Sequence, residues 1–208
     1  MDTYKTIASE SVGEYEVKRS RFIATLRPVK SQEEAVDFIN EMKKKYWDAR
    51  HNCSAYVIGD RGEITRCSDD GEPPGTAGRP MLEVLLNEGL SNVCVVVTRY
   101  FGGVLLGTGG LVRAYRQSLK EGIRNARIET VRECFSCELK SDYTLAGKLK
   151  YLIESPPFIL ADTLYEEEVI FKFLVSCEEF EKAQNIITDA TNGRLVIERI
   201  EKTDHRGG

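Results

Sequence analysis

Histidine is nearly absent from this chain, and much of the usual catalytic machinery is absent with it. The 208 residues include only two histidines, His51 and, in the C-terminal tail, His205. The sequence has neither the Gly-x-Ser-x-Gly turn of hydrolases nor the His-Glu-x-x-His helix of zinc proteases. His51 and Cys53 would share one face of a strand, but no third group is evident to orient the pair. We therefore predict no catalytic residues, with Cys53 buried and His51 at a strand edge.

Long apolar runs and a leader sequence are also missing. No apolar run approaches the ~20 residues that a membrane helix needs, and the first residues lack the pattern of a signal peptide. We expect a cytoplasmic protein without membrane contacts, whose six cysteines are reduced thiols. Cys134-x-x-Cys137 resembles half of a zinc site, but no second pair accompanies it. We expect no metal ion and no cofactor.

Charge is unevenly distributed along the chain. The 19 basic and 17 acidic residues of positions 1–128 give a net charge of +2, whereas the 10 basic and 16 acidic residues of positions 129–208 give −6. The overall charge of −4 excludes a polycation that binds nucleic acid along its whole length. The asymmetry indicates two units with different partners, or ordinary variation in surface composition.

Residues 1–128 alternate between strand and helix patterns. Turn residues and apolar periodicity predict these elements: strands over 13–18 and 22–29, a helix over 31–46, a hairpin of 53–58 with 63–67, a helix over 81–87, a strand over 93–98 and a helix over 111–126. Ser31 is the predicted N-cap of the first helix, with Glu34 completing a capping box.

Residues 129–208 follow a regular order of strand, helix, strand, strand, helix and strand. This βαββαβ order predicts a ferredoxin-like domain. The last strand is expected over residues 194–201, and the tail from Thr203 to Gly208 is expected to be frayed.

The most informative segment is rich in glycine. Five glycines fall within nine positions between the predicted strand and the last helix of the first domain: Gly102, Gly103, Gly107, Gly109 and Gly110. A loop of this kind brings backbone N–H groups to the positive end of a helix dipole, where anions bind. Thr108 stands where a Walker A loop requires lysine, and Val112 stands where a dinucleotide fingerprint requires its third glycine. The segment therefore predicts an anion-binding loop of neither type.

The residues on both sides of the loop add candidate contacts. Arg99 and Tyr100 are predicted to lie on the surface, where they would clamp a phosphate and stack a base, whereas Phe101 is predicted in the core. After the loop, cations recur at spacings of three and four along one helix stripe: Arg113, Arg116, Lys120, Arg124 and Arg127. Such a ridge suits successive phosphates, although a solvated helix face is the usual alternative.

An acidic segment lies between the hairpin and the short helix. Its residues Ser68-Asp69-Asp70-Gly71-Glu72 offer carboxylates that would suit Mg²⁺. Asp-Asp-Gly is also ordinary turn chemistry, and we favour the turn.

Together these segments resemble the IMPACT family, in particular its bacterial branch of YigZ- and YvyE-like proteins. Four blocks carry the resemblance across residues 1–128: Lys18-x-Ser20-x-Phe22-Ile23, His51-Asn52-Cys53-x-Ala55-Tyr56, the segment 68–80 and the segment 93–115. The back half looks like the small ferredoxin-like domain of the bacterial members, similar to a domain of elongation factor G.

The resemblance implies an α+β protein of two domains and a link to translation. Residues 1–128 would have the ribosomal protein S5 domain-2-like fold, and residues 129–208 the ferredoxin-like fold. Eukaryotic members bind the activator of an initiation-factor kinase and carry an extra N-terminal domain for protein contacts. Because this chain starts almost directly at Lys18-x-Ser20, we do not expect that mechanism here. Bacterial members have been suspected of binding nucleic acid or the ribosome. Some carry a peptidase label, which no residue here supports.

Three functions follow as hypotheses. The first is a non-enzymatic, translation-associated regulator that binds RNA or the ribosome, with a protein partner for the acidic C-terminal domain. The second is a phosphate- or nucleotide-binding enzyme that uses the same loop, with Asp69 or Asp70 on Mg²⁺, and the third is a protein-interaction scaffold. The predicted anion-binding residues are Arg79, Arg99, Tyr100, Gly102, Gly103, Gly107, Thr108, Gly109, Gly110, Arg113, Arg116 and Lys120.

Overall fold

Two units, each with its own buried apolar side chains, make up the chain. The computed structural model describes residues 3–207, which divide into a first unit of residues 3–130 and a second unit of residues 131–207. The predicted boundary after residue 128 lies two residues before this division. The predicted α+β class with two domains is confirmed.

The first unit is built on a five-stranded antiparallel sheet. Its elements are β1 (Thr3–Ile7), β2 (Ser11–Val17), β3 (Ser20–Pro28), α1 (Gln32–Lys45), β4 (His51–Ile58), β5 (Ile64–Ser68), α2 (Gly78–Asn87), β6 (Val93–Tyr100) and α3 (Gly107–Asn125). The strand order is β2-β3-β6-β4-β5, and every neighbouring pair in it is antiparallel. β6 is therefore the central strand, which explains its unbroken apolar run.

The two faces of β6 serve different cores. Because side chains alternate along a strand, Val93, Val95 and Val97 pack in the core that includes α2 and α3. Cys94 and Val96 pack on the opposite face, against α1. The same alternation determines where the last two residues of the strand point.

Helix α1 begins at the predicted cap. Ser31 Oγ accepts a hydrogen bond from the Glu34 N–H at 3.1 Å. The Glu34 carboxylate accepts from the Lys30 N–H at 2.7 Å, one residue before the position that a capping box uses.

The second unit has the predicted ferredoxin-like order. Its elements are β7 (Ile128–Ser141), α4 (Tyr143–Ile153), β8 (Phe158–Tyr165), β9 (Val169–Ser176), a 3₁₀ turn (Cys177–Glu179), α5 (Phe180–Thr191) and β10 (Glu198–Gly207). β9 pairs antiparallel with both β7 and β8, and β10 pairs with β7.

Two terminal elements differ from the sequence prediction. β1 was not predicted; the Ser91 N–H donates to the Lys5 carbonyl at 2.8 Å, and the Ala8 N–H donates to the Arg127 carbonyl at 2.9 Å. Most of the tail that we expected to be frayed belongs to β10, while Gly208 lies outside the described residues. Both strands depend on partners distant in the chain, which a local pattern does not reveal. No helix in residues 3–207 is long and apolar enough to cross a membrane.

The close approach of β2 and α3 requires a glycine. A Cβ at Gly13 would lie 2.1 Å from the Gly122 nitrogen and 2.5 Å from the Glu121 carbonyl carbon. Both are backbone atoms of α3, so the helix itself would have to move.

We expect Gly13→Ala to lower the free energy of unfolding of the first unit by about 1–3 kcal/mol, because the added methyl group overpacks this contact. Gly147→Ala in α4 is the matched control, since a Cβ there would meet open space beyond the backbone of its own helix. The control should raise stability by up to about 1 kcal/mol through helix propensity. Urea denaturation followed by circular dichroism measures both, and a Gly13→Ala variant as stable as the wild type would contradict the close contact.

Candidate anion-binding surface at the glycine segment

The glycine segment is divided between a short loop and the first turn of α3. Residues 101–106 connect β6 to the helix, and α3 begins at Gly107. The predicted start at Leu111 was wrong by four residues. Glycine and threonine add no apolar side chain to the helical period, so the pattern becomes visible only at Leu111. Thr108, Gly109 and Gly110 therefore belong to the first turn of the helix, whose N–H groups lack intrahelical partners, and Gly107 opens that turn with a positive φ of 70°.

The N-terminus of α3 lacks a side-chain cap. Leu106 occupies the N-cap position, and its apolar side chain cannot accept a hydrogen bond from the N–H groups of the first turn. That turn also contains no acidic residue. Gly107, Thr108 and Gly109 are exposed. The positive end of this helix dipole therefore faces solvent without a carboxylate of the helix's own first turn beside it.

The loop packs tightly against a basic turn. A Cβ at Gly102 would lie 2.1 Å from the Arg19 carbonyl carbon, and the Gly102 N–H donates to Ser20 Oγ at 3.1 Å. Lys18 and Arg19 form the turn between β2 and β3 with φ of 48° and 62°, the left-handed geometry of a tight hairpin. Both side chains are exposed, and neither forms an ion pair within residues 3–207.

Lys18 and Arg19 were missing from the predicted site. The sequence feature that could have indicated them is the Lys18-x-Ser20 block, but it lies far from the glycines along the chain. Only the antiparallel pairing of β3 with β6, with Arg21 opposite Tyr100, brings this turn to the glycine segment.

The basic stripe of α3 is largely neutralised along its length. Arg116 binds the Glu83 carboxylate of α2, and Glu83 also lies 3.4 Å from Arg79. Arg124 pairs with Glu121 at 2.6 Å. Beyond the helix, Arg127 lies 3.6 Å from Glu129.

Two cations of the stripe keep their charge uncompensated. Arg113 and Lys120 are exposed, and neither forms an ion pair in the part of the chain that the structure describes. Arg113 lies one turn after Gly109, and its Nη1 is 4.0 Å from the position of a Cβ on that glycine. One uncompensated cation therefore lies in each half of the helix, with Arg113 the nearer of the two to its N-terminus.

The predicted surface position of Arg99 was wrong. Its side chain continues the inward row of Val93, Val95 and Val97, and the residue is only 6% exposed. Arg99 Nη1 donates to Glu72 Oε1 at 2.6 Å. The guanidinium lies 5.5 Å from the ring centroids of both Phe22 and Phe101.

The neighbours of Arg99 also differ from expectation. Phe101, predicted in the core, is 46% exposed. Tyr100 is half-buried, and its hydroxyl donates to Asp48 Oδ1 at 2.9 Å.

A buried polar cluster lies behind the glycine segment. Glu72 Oε1 also accepts a hydrogen bond from the Tyr115 hydroxyl at 2.8 Å, and Glu72 Oε2 lies 4.0 Å from His51 Nε2. Cys53 Sγ lies 3.3 Å from the Tyr115 oxygen and 2.9 Å from the Asp69 carbonyl oxygen.

Burial raises the pKa of the Cys53 thiol to about 12, so the thiol remains protonated near neutral pH and is a poor nucleophile. Cys53 is buried as predicted, and His51 is the first residue of β4.

The acidic segment forms a structural turn. Asp69 Oδ1 accepts from the N–H groups of Ala77 and Gly78 at 3.0 and 2.8 Å, and Oδ2 accepts from the Gly75 N–H at 2.8 Å. Asp69 thereby caps the N-terminus of α2. Burial of the carboxyl opposes ionisation, but the three N–H groups together outweigh it and lower the pKa of Asp69.

Asp70 is engaged in the same way. Its carboxylate accepts from Lys43 Nζ at 2.6 Å and from the Asn52 N–H at 2.7 Å. The backbone φ angles of 44° at Asp70 and 85° at Gly71 are left-handed, which is typical of a turn. Within residues 3–207, no group of three His, Cys, Asp or Glu side chains is arranged to hold a metal ion.

Comparisons with known proteins agree over most of the chain. Residues 18–123 match the family model of the Impact N-terminal domain, and residues 139–194 match a domain of unknown function, DUF1949. The IMPACT family member YvyE of Bacillus subtilis is 41% identical over 203 residues, which are 98% of this chain and 94% of that protein. The IMPACT family member YigZ of Escherichia coli is 32% identical over 189 residues, which are 90% and 93% of the two chains.

A solved structure is similar along the whole length. The crystal structure of a protein described as hypothetical superimposes with a TM-score of 0.62 at 31% sequence identity. The superposition covers 97% of this chain and 98% of the other.

We expect Glu72→Gln to lower the free energy of unfolding by about 3–5 kcal/mol, because it leaves the buried Arg99 charge without its partner. Glu14→Gln is the control, since its pair with Arg21 is half exposed and should contribute less than about 1 kcal/mol. Chemical denaturation measures both variants. Equal effects of the two substitutions would contradict a buried ion pair.

The Asp69 cap makes a pH-dependent contribution to stability. Because folding lowers the pKa of Asp69, its contribution is fully present above the unfolded pKa near 3.9 and is lost as the pH falls through the folded pKa. The difference in free energy of unfolding between wild type and Asp69→Asn should therefore be largest above about pH 5 and should shrink toward about pH 2. Denaturation series at several pH values test this, and a difference that stays constant with pH would refute it.

Proposed function

The chain belongs to the IMPACT family, and on that premise we propose that it is a non-enzymatic, translation-associated regulator that binds RNA or the ribosome. The surface that carries the proposal consists of the exposed first turn of α3, Arg113 and Lys120 on the same helix, and the turn of Lys18 and Arg19. We call it the anion surface. The link to translation comes from the family resemblance, and RNA binding from the distribution of charge.

The observation that carries RNA binding is the uncompensated charge around an uncapped helix N-terminus. Arg113, Lys18 and Arg19 are exposed and form no ion pairs in the described part of the chain, and the first turn of α3 offers N–H groups without an acidic competitor. Phosphates are bound by such groups in combination, and their affinity depends on the number of cations that displace counterions. The cations predicted from sequence differ in how available their charge is to a phosphate. Arg79 and Arg116 share Glu83 and bind phosphate only in competition with it.

Arg99 and Tyr100 support the surface from beneath. Arg99 anchors the end of β6 to Glu72, and Phe101 covers its guanidinium. This arrangement holds the loop in place while leaving its backbone exposed. The acidic second unit, with its net charge of −6 over residues 129–208, is proposed to contact a protein partner.

A phosphate-transferring enzyme finds less support. Magnesium binding would need Asp69 or Asp70, and both carboxylates are engaged with the backbone or with Lys43. The protonated Cys53 thiol offers no nucleophile near neutral pH.

A protein-interaction scaffold is the second candidate, favoured by one observation. Leu105, in the middle of the glycine loop, is 81% exposed, and Val104 beside it is also exposed. Exposed aliphatic side chains contribute to protein interfaces more than to phosphate contacts. A complex that survives nuclease treatment would favour this candidate.

Arg113→Gln with Lys120→Gln tests the anion surface. The double substitution should weaken RNA or ribosome binding and should reduce the slope of log affinity against log salt by about one to two. Arg124→Gln is the matched control, because Arg124 lies on the same helix but pairs with Glu121. Filter binding or fluorescence anisotropy over a salt series measures the slopes. An unchanged slope and affinity in the double variant would refute the proposal.

A further inference from the structure

The only tryptophan of the chain lies almost entirely in solvent. Trp47 is 82% exposed just after the end of α1. Burying an aromatic side chain of this size is worth more than about 2 kcal/mol, so a tryptophan held in water forgoes a large stabilisation. Its position therefore calls for an explanation outside the fold of the first unit.

The backbone around Trp47 is held on both sides. The Tyr46 N–H donates to the Met42 carbonyl at 2.9 Å, and the Ala49 N–H donates to the Tyr46 carbonyl at 3.0 Å, which closes a turn around Trp47 and Asp48. The Tyr100 hydroxyl then ties Asp48 to the end of β6 at 2.9 Å. Trp47 is thus presented on an ordered turn, and a ligand that contacts it need not order the backbone first.

The surroundings of Trp47 are basic. Lys44, Lys45 and Arg50 are exposed near it in the chain, and none forms an ion pair within residues 3–207. Lys45 Nζ lies 5.2 Å from the centre of the Tyr46 ring. The nearest acidic residue in sequence, Asp48, accepts a hydrogen bond from Tyr100.

The Trp47 turn and the anion surface meet at the end of one strand. Tyr100, which holds Asp48, is followed directly by Phe101, the first residue of the glycine loop. Arg21 lies opposite Tyr100 in the sheet and close in sequence to the turn of Lys18 and Arg19. Exposed cations and aromatic side chains therefore occur on both sides of the end of β6.

We propose that Trp47 is a stacking platform for a base of single-stranded RNA, with Lys44 and Arg50 contacting the neighbouring phosphates. The proposal rests on the RNA binding proposed above and identifies the kind of RNA and a second contact point. Single strands are bound by basic grooves in which aromatic side chains stack on the bases. A duplex keeps its bases paired and stacked and offers no free face to a protruding indole. A protein interface would surround the tryptophan with apolar side chains, whereas its exposed neighbours here are charged.

The fluorescence of Trp47 provides a direct readout. Because no other tryptophan is present, emission excited at wavelengths that tyrosine does not absorb reports on this side chain alone. Titration with an unstructured single-stranded RNA of about ten nucleotides should quench the emission, because a stacked base contacts the indole. The same sequence as a duplex should leave the emission unchanged at equal concentration.

Substitutions separate stacking from charge. Trp47→Ala should weaken binding of the single strand about 10- to 100-fold, the loss expected for one stacked base, and Trp47→Phe should restore part of that loss. Lys44→Gln with Arg50→Gln should reduce the salt slope by about one to two while leaving quenching at saturation. Tyr151→Ala, at an exposed aromatic residue of the second unit, is the matched control and should leave the affinity unchanged.

The outcomes distinguish the stacking proposal from the RNA binding on which it rests. If the double variant of Arg113 and Lys120 loses affinity but Trp47→Ala binds as wild type and no quenching occurs, the stacking platform is refuted and RNA binding stands. If the wild type binds no RNA by anisotropy, both are refuted. Equal quenching by duplex, or a nuclease-resistant protein complex that Trp47→Ala abolishes, would also overturn the stacking proposal.

Discussion

The buried contact between Arg99 and Glu72 connects the parts of the first unit that its candidate site depends on. Arg99 comes from the central strand, Glu72 from the acidic loop, and Tyr115, which shares the same carboxylate oxygen, from α3. Moving two charges out of water costs several kcal/mol each, and only close, well-oriented contacts offset that cost. The 2.6 Å contact, the second hydrogen bond from Tyr115 and the rings of Phe22 and Phe101 supply such contacts. Arg99 Nε has no hydrogen-bond partner among the described residues, so the ring faces next to the guanidinium are part of its solvation.

Two neighbouring helices of the first unit differ at their N-termini. The acidic loop that carries Glu72 also carries Asp69, whose carboxylate occupies the N-terminus of α2. The N-terminus of α3 receives no such carboxylate, and exposed cations lie near it. One helix dipole is thus used for folding, while the other faces solvent, where an external anion has access.

The elements of the candidate site were predictable to different degrees. The glycine segment, the exposed stripe of Arg113 and Lys120, the buried Cys53 and the turn at Asp69-Asp70 follow from local residue chemistry. Sequence reasoning placed Arg99 on the surface because an arginine at a strand exit beside a glycine loop suits a phosphate contact. It placed Phe101 in the core, on the interpretation that the glycines let the strand and the helix pack closely there. The alternation along β6 places Arg99 on the inward face of the strand, whereas Phe101, just beyond the strand, is 46% exposed with its ring 5.5 Å from the Arg99 guanidinium.

The chain by itself determined the two units, the order of their elements apart from β1, and the family. Apolar periodicity, turn residues and caps are local properties, and the four sequence blocks are read directly from the chain. Only the tertiary structure decided which charges are available for a ligand. Whether a cation is free depends on the carboxylates that the fold brings to it, as Glu83 is brought to Arg116 and Glu72 to Arg99, while Arg113, Lys18 and Arg19 are left exposed. Those partners lie up to tens of residues away in the sequence, and the pairing of strands and helices, which no local pattern encodes, sets the distances between them.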